Sequence, residues 1–161
     1  MKRFILIAVC LMVVFSLAYA AEFSYVGAKK CKMCHKGEKK GMVFEKWEKG
    51  PHAKAFEAVK GKGEEKNPEC LNCHTTGFNA GGYKVGDADA AKFEGVQCES
   101  CHGPGSLYKK MSVMKDKKKA MENGLIEPTE AVCKKCHVGN DHTGKFNFAE
   151  AWKKIDHTYT K

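Results

Sequence analysis

After two basic residues, Lys2-Arg3, the chain runs through an apolar stretch from Phe4 to Ala18. Beyond it the apolar positions come in short helical stripes broken by Gly, Pro and Lys. Met42, Val43, Phe44 and Trp47 predict a short helix that stops at Gly50-Pro51, and Pro51 suits the first position of the next. There His52, Ala55, Phe56 and Val59 fall at i, i+3, i+4 and i+7, which predicts a buried face that includes an imidazole. Lys60 to Pro68 reads as a surface loop, and Gly77 to Tyr83, with glycines and flanking aromatics, as a tight turn or small hairpin. From Ser106 to Asn123 a longer helix is expected, with Leu107, Met111, Met114 and Met121 on one stripe and Gly124 closing it. Pro128-Thr129 restarts a helix with Thr129 as N-cap. A last helix spans Phe146 to His157, with Phe148, Trp152 and Ile155 as its apolar stripe and His157 just past it. The expected fold class is mainly α with long loops and little or no sheet.

The opening run, followed by Ala18-Tyr19-Ala20 before Ala21, has the basic start, apolar centre and small-x-small cleavage pattern of an export signal over residues 1–20. It is short for a spanning helix and no charge cluster follows at once, so no stable membrane anchor is expected. Cys10 leaves with the signal. Of 9 cysteines, 8 then remain in residues 21–161.

Those eight fall into four copies of one pentapeptide: Cys31-Lys32-Met33-Cys34-His35, Cys70-Leu71-Asn72-Cys73-His74, Cys98-Glu99-Ser100-Cys101-His102 and Cys133-Lys134-Lys135-Cys136-His137. Shuffling the same composition would give about 0.02 such motifs. In each C-x-x-C-H, two thiols can add to the vinyl groups of one haem while the adjacent histidine reaches the iron. Four covalently bound haem c groups are therefore expected. Structural zinc also uses C-x-x-C pairs, but it gives no reason for a histidine directly after the second cysteine every time. No cysteine is left for a disulfide or a free nucleophile. With four haems shared among about 140 residues, the packed haems must form the core, and the haem-free chain should be largely unfolded. The expected organisation is one tetrahaem cytochrome c domain over residues 21–161, exported to the periplasm or an equivalent compartment.

The formal charge is +9, and removing Lys2 and Arg3 leaves +7. Nucleic acid is nonetheless not the expected partner, because four haems bring roughly eight propionate carboxylates that bring the whole near neutrality. The lysines remain as local patches, such as Lys115 to Lys119, suited to an acidic redox partner protein.

Each iron has one axial histidine from its own motif: His35, His74, His102 and His137. Three further histidines exist, His52, His142 and His157, so four irons cannot all take a second imidazole. His52 and His157 are candidate distal ligands. His142 lies five residues after His137, and a loop of about 17 Å at full stretch hardly wraps to the far face of the same haem, so a solvated or propionate-bonding role is expected. Met111 and Met114 are further distal candidates, although methionines on an apolar stripe commonly serve as core filler.

The sequence resembles the tetrahaem cytochrome c-554 family, whose founding members carry electrons away from hydroxylamine oxidoreductase in nitrifying bacteria. The resemblance runs through Lys29-Lys30-Cys31 to His35, Trp47 with His52-Ala53-Lys54-Ala55, His74 with Gly77-Phe78 and Gly81-Gly82-Tyr83, Gly95 with Cys98-Glu99-Ser100-Cys101-His102-Gly103-Pro104-Gly105, and Phe146 to His157. It implies that His157 ligates the first haem from its distal side and His52 the third, and that the second haem, on His74, is five-coordinate. The family's remaining distal histidine follows the Gly-Pro-Gly, where this chain reads Tyr108-Lys109-Lys110-Met111-Ser112-Val113-Met114. The resemblance therefore leaves the fourth haem without its histidine, a place for Met111 or Met114.

The function these features point to is an exported carrier that relays single electrons between redox partners without catalytic side chains. An alternative is a small-ligand reductase that acts on nitrogen oxides at an open haem on His74, though no acid, base or arginine cluster beside that motif would deliver protons. A third is a subunit that stacks with copies of itself into a conductor.

Overall fold

The computed structural model describes residues 23–139 and 144–157. The expected export signal and His142 lie outside the described residues. Eight short α-helices follow one another: α1 (Ala28–His35), α2 (Val43–Lys49), α3 (Pro68–His74), α4 (Cys98–His102), α5 (Met111–Met114), α6 (Lys117–Glu122), α7 (Glu130–Cys133) and α8 (Phe148–Ile155). Three 3-10 segments lie between them, at Glu38–Lys40, His52–Ala58 and Ala90–Phe93. Sheet structure among the described residues is confined to one isolated antiparallel bridge, Thr75 with Glu94. The fold is thus mostly helical with little sheet.

Two small apolar clusters hold these pieces. Phe56, Val59, Leu71, Tyr83 and Phe93 form the first, beside the second motif. Tyr108, Val113 and Ala120 form the other, with Met114 and Leu125 packed against it.

Several helix boundaries follow from local chemistry. α2 ends at Gly50 as expected, and α3 starts with Pro68 at its first turn while the Asn67 side chain accepts from the Glu69 N–H at 3.0 Å. In α8 the Asn147 side chain caps the Glu150 N–H at 3.1 Å. Thr129 occupies the N-cap position of α7 without a side-chain cap bond.

Three expectations change. The segment from His52 is a 3-10 helix, because its carbonyls serve partners elsewhere: the His52 C=O accepts the Val96 N–H at 2.9 Å and the Ala55 C=O meets His74 Nδ1 at 2.6 Å. With three residues per turn, Phe56 and Val59 align and are buried, while His52 lies half-buried beside their line. The single helix expected over 106–123 is divided into α5 and α6, because Asp116 takes extended backbone and caps the Lys119 N–H at 3.1 Å. Met111 is 63% exposed and Met121 is exposed too, so the buried side of this region is Tyr108, Val113 and Ala120 instead of the methionine stripe. Of the two alternatives at 77–83 the structure takes the tight turn, with Gly82 N–H donating to the Gly77 carbonyl and Tyr83 N–H to that of Thr76.

Candidate functional site

Each motif sits on one turn of helix or its continuation. The first lies on α1, the second on α3 and the third on α4, while the fourth begins in α7 and ends in the turn after it. Residues 93–97 join three of them. Thr76 Oγ1 donates to the Gly95 carbonyl at 2.8 Å and accepts the Gln97 N–H at 2.9 Å, the Gly95 N–H donates to the His74 carbonyl, and Trp47 Nε1 donates to the Val96 carbonyl. Gly95 has φ +80, and a Cβ there would lie 2.5 Å from the Ala53 carbonyl oxygen, so only glycine lets this strip approach the His52 segment.

The third motif anchors the first. The buried Glu99 carboxylate accepts the N–H groups of Val26, Gly27 and Gly105, and the Gln97 side-chain carbonyl accepts the Ala28 N–H at 2.7 Å. The N-terminus of α1 is therefore capped from a distant segment. Gly103 after the motif has φ +78, with the Gly124 carbonyl oxygen 2.5 Å from where a Cβ would stand. The Tyr108 hydroxyl donates to the Gly103 carbonyl at 2.7 Å.

Sulfur contacts give the spatial order of the motifs. Cys31 and Cys98 are neighbours: each is the leading cause of the other's shift, Cys98 holding Cys31 below and Cys31 holding Cys98 above the ordinary thiol value. Cys136 is pushed up to about 12 by burial and then by its neighbour Cys73. Cys101 is raised by burial and then by Cys133, close enough to be felt. Along this line the sites run first, third, fourth, second.

Two imidazole pairs stand between elements. His52 faces His137 with ring centroids 6.1 Å apart and planes at 67°, and His157, just past α8, faces His102 at 6.1 Å and 69°. The resemblance implied His157 for the first motif and His52 for the third; in the structure the rings nearest them are those of His102 and His137. Position in sequence carries no record of which motif the α8 end and the 52–58 segment reach in space. His35 lies near enough to His157 and His102 to feel both. Met114 packs against the second apolar cluster and Met111 stands in solvent.

The donors suit haem iron. A metal–nitrogen bond of about 2 Å plus ~1 Å from nitrogen to ring centre, counted on both sides, spans about 6 Å, the separation seen in both pairs. Nδ1 of His74, His102 and His157 meets the backbone carbonyl of Ala55, Ile126 and Ile155 respectively, the kind of contact that fixes ring orientation in metal-ligating histidines. Burial is the first cause that holds His35, His52 and His102 below the usual imidazole range, and so in the neutral form that binds metals. The Phe146 ring stacks on His137 at 4.7 Å, a contact that sequence reasoning missed by placing Phe146 in the helix. Large apolar side chains border three motifs in exposed positions: Met33, Ile126 and Val138. Among the described residues no three His, Cys, Asp or Glu side chains gather as a closed metal site would require.

Cys-x-x-Cys-His turns with facing imidazoles are the site of a haem-binding c-type cytochrome. Residues 30–103, which include the first three motifs, match the family described as cytochrome c554 and c-prime. The cytochrome c-554 of Nitrosomonas europaea is 27% identical over 168 residues, a stretch that takes in 88% of this chain. The chain spans 66% of that relative's length, a little under two thirds. The solved reduced state of cytochrome c554 from Nitrosomonas europaea superposes with a TM-score of 0.66 at 25% identity, covering 84% of each chain. The family match is confined to residues 30–103, and the likeness to cytochrome c-554 extends over most of the chain at 27% and 25% identity. No described helix is long and apolar enough to cross a membrane.

Proposed function

We propose that this chain is an exported tetrahaem electron carrier that passes single electrons between redox partner proteins, at least one of them acidic. The observation that carries the reading is the four Cys-x-x-Cys-His motifs with two of their histidines, His137 and His102, each facing a further imidazole, His52 and His157, at 6.1 Å. Haem c, when bound, supplies a one-electron couple at its iron. Eight cysteines would hold the groups by thioether bonds, His35, His74, His102 and His137 would supply each iron's first imidazole, and His52 and His157, beside His137 and His102, would supply further imidazoles. Met33, Ile126 and Val138 are large apolar side chains left exposed beside motif residues, as a chain whose core is completed by haem would leave them. The signal-like residues 1–20 and the compartment in which c-type attachment takes place support export. Coulometric titration of the purified protein tests the proposal: uptake of four electrons per chain is expected, and fewer than four would overturn it.

A second reading has one observation in its favour. Once His52 and His157 are committed, His142 is the one imidazole left for the two irons on His35 and His74. At least one of those irons must take methionine or stay open. An open iron binds small ligands such as nitric oxide, and steady turnover of a nitrogen oxide would raise this reading above the carrier.

A further inference from the structure

Glu99 stands inside the third motif, between its two cysteines, and is 1% exposed. Its Oε1 accepts the N–H groups of Val26 at 2.9 Å and Gly105 at 2.6 Å; its Oε2 accepts those of Gly27 at 2.7 Å and Val26 at 3.0 Å. All these partners are donors, so the side chain acts as an acceptor only, the role of an ionised carboxylate. A buried charge is ordinarily matched by a cation. Among the described residues the ion pairs join Lys32 with Glu48, Lys60 with Glu94, Lys117 with Glu127 and Lys134 with Glu130, and none includes Glu99. Backbone dipoles alone hold it, including the start of α1.

Capping does not explain this choice of residue. Two positions earlier the neutral Gln97 caps the Ala28 N–H of the same helix at 2.7 Å. What a carboxylate adds is a full negative charge in a dry seam, where Coulomb interactions are screened least. The seam's phenols register that charge: burial first and Glu99 second hold Tyr25 above its ordinary value, and the same two causes lead for Tyr108. Cys31 and Cys98, one from each of two motifs, meet beside it and both feel it.

We propose that Glu99 is a fixed negative charge that lowers the reduction potentials of the two haems held by the first and third motifs, a role that rests on the four-haem reading. Ferric iron carries one more positive charge than ferrous, so an anion nearby favours the oxidised form. The second and fourth motifs lie farther along the line and feel the charge less. The consequence is a built-in slope, with electrons drawn away from the first and third sites toward the other two.

The test uses the mature holoprotein and begins with intact mass, because fewer than four haem additions would refute the four-haem reading separately from this one. Potentials are then resolved site by site from haem-methyl NMR signals during a redox titration. For Glu99→Gln the oxidised-to-reduced ratio at fixed applied potential should fall about tenfold at the first and third sites, equivalent to about 59 mV upward for a one-electron couple. The other two sites should hold their values. Gln97→Ala removes a cap from the same helix without changing charge and should leave all four in place. Equal shifts at all four sites, no shift, or the same shift in Gln97→Ala would overturn the proposal. If Glu99→Gln fails to load four haems, Tyr25→Lys decides, since it sets a cation near Glu99 without touching the four N–H bonds. It should raise the same two potentials, and unchanged potentials there would overturn the proposal.

Discussion

The rings of His52 and His137 stand 6.1 Å apart with planes at 67°, although one belongs to the 3-10 segment after α2 and the other to the turn after α7. Their separation fits one iron between them. His52→Ala should therefore convert a single low-spin haem to high-spin, and that haem should be the one held by the fourth motif. Electron paramagnetic resonance counts the change and haem-methyl NMR locates it. An unaltered spectrum would return His52 to an ordinary core histidine.

His157 depends on α8 for its position, and α8 depends on its cap. Asn147→Ala removes the acceptor for the Glu150 N–H and should cost about 1 kcal/mol in denaturant unfolding. Amide exchange should quicken across Phe148–Ile155 and a high-spin fraction should appear at the third site. Exchange that speeds up everywhere alike would show that the cap has no local effect.

Carbon monoxide reads the shortage of imidazoles directly. Seven histidines serve four irons, so the reduced protein should bind at least one carbon monoxide per chain, at the His35 or the His74 site. Titration followed in the Soret band measures the stoichiometry. A spectrum that does not move would mean four tightly six-coordinate irons and would remove the open-site reading while leaving electron transfer intact.

Leu71 lies within the second motif and is fully buried among Phe56, Val59, Tyr83 and Phe93. Leu71→Ala should destabilise the holoprotein by roughly 2–5 kcal/mol, the usual cost of a cavity in a site that cannot collapse. Guanidinium unfolding checks it. A change below about 0.5 kcal/mol, typical of surface substitutions, would show that the cluster bears little of the fold.

Much of this could be read in advance wherever the signal was local. The four C-x-x-C-H strings, the stop at Gly50, the closure at Gly124 and the apolar stripe of α8 need only neighbouring residues to be recognised. What escaped depended on distant partners. The 3-10 geometry of 52–58 arises because Val96 and His74 claim its carbonyls, and nothing in residues 52–58 announces that. The methionine stripe misled because the side chain with a polar handle, Tyr108, was buried in place of Met111. Glu99 was visible only as a letter in a family string, and its burial against Val26 and Gly27 is a tertiary fact. Which motif each returning imidazole meets is likewise a tertiary fact, since residue order does not fix it.

The alternation of motifs in space has a consequence for how the protein can be made. The first site waits for residues near Cys98 before it gains its sulfur neighbour, and the second waits for those near Cys136. Consecutive motifs in the chain are therefore not the ones that pair, and a fragment ending at His74 would carry two attachment sites with no partner for either. Insertions between the second and third motifs would strain both pairs at once. Interleaving of this kind ties assembly to arrival of the last motif, so a half-length copy would have no working half of the wire to inherit.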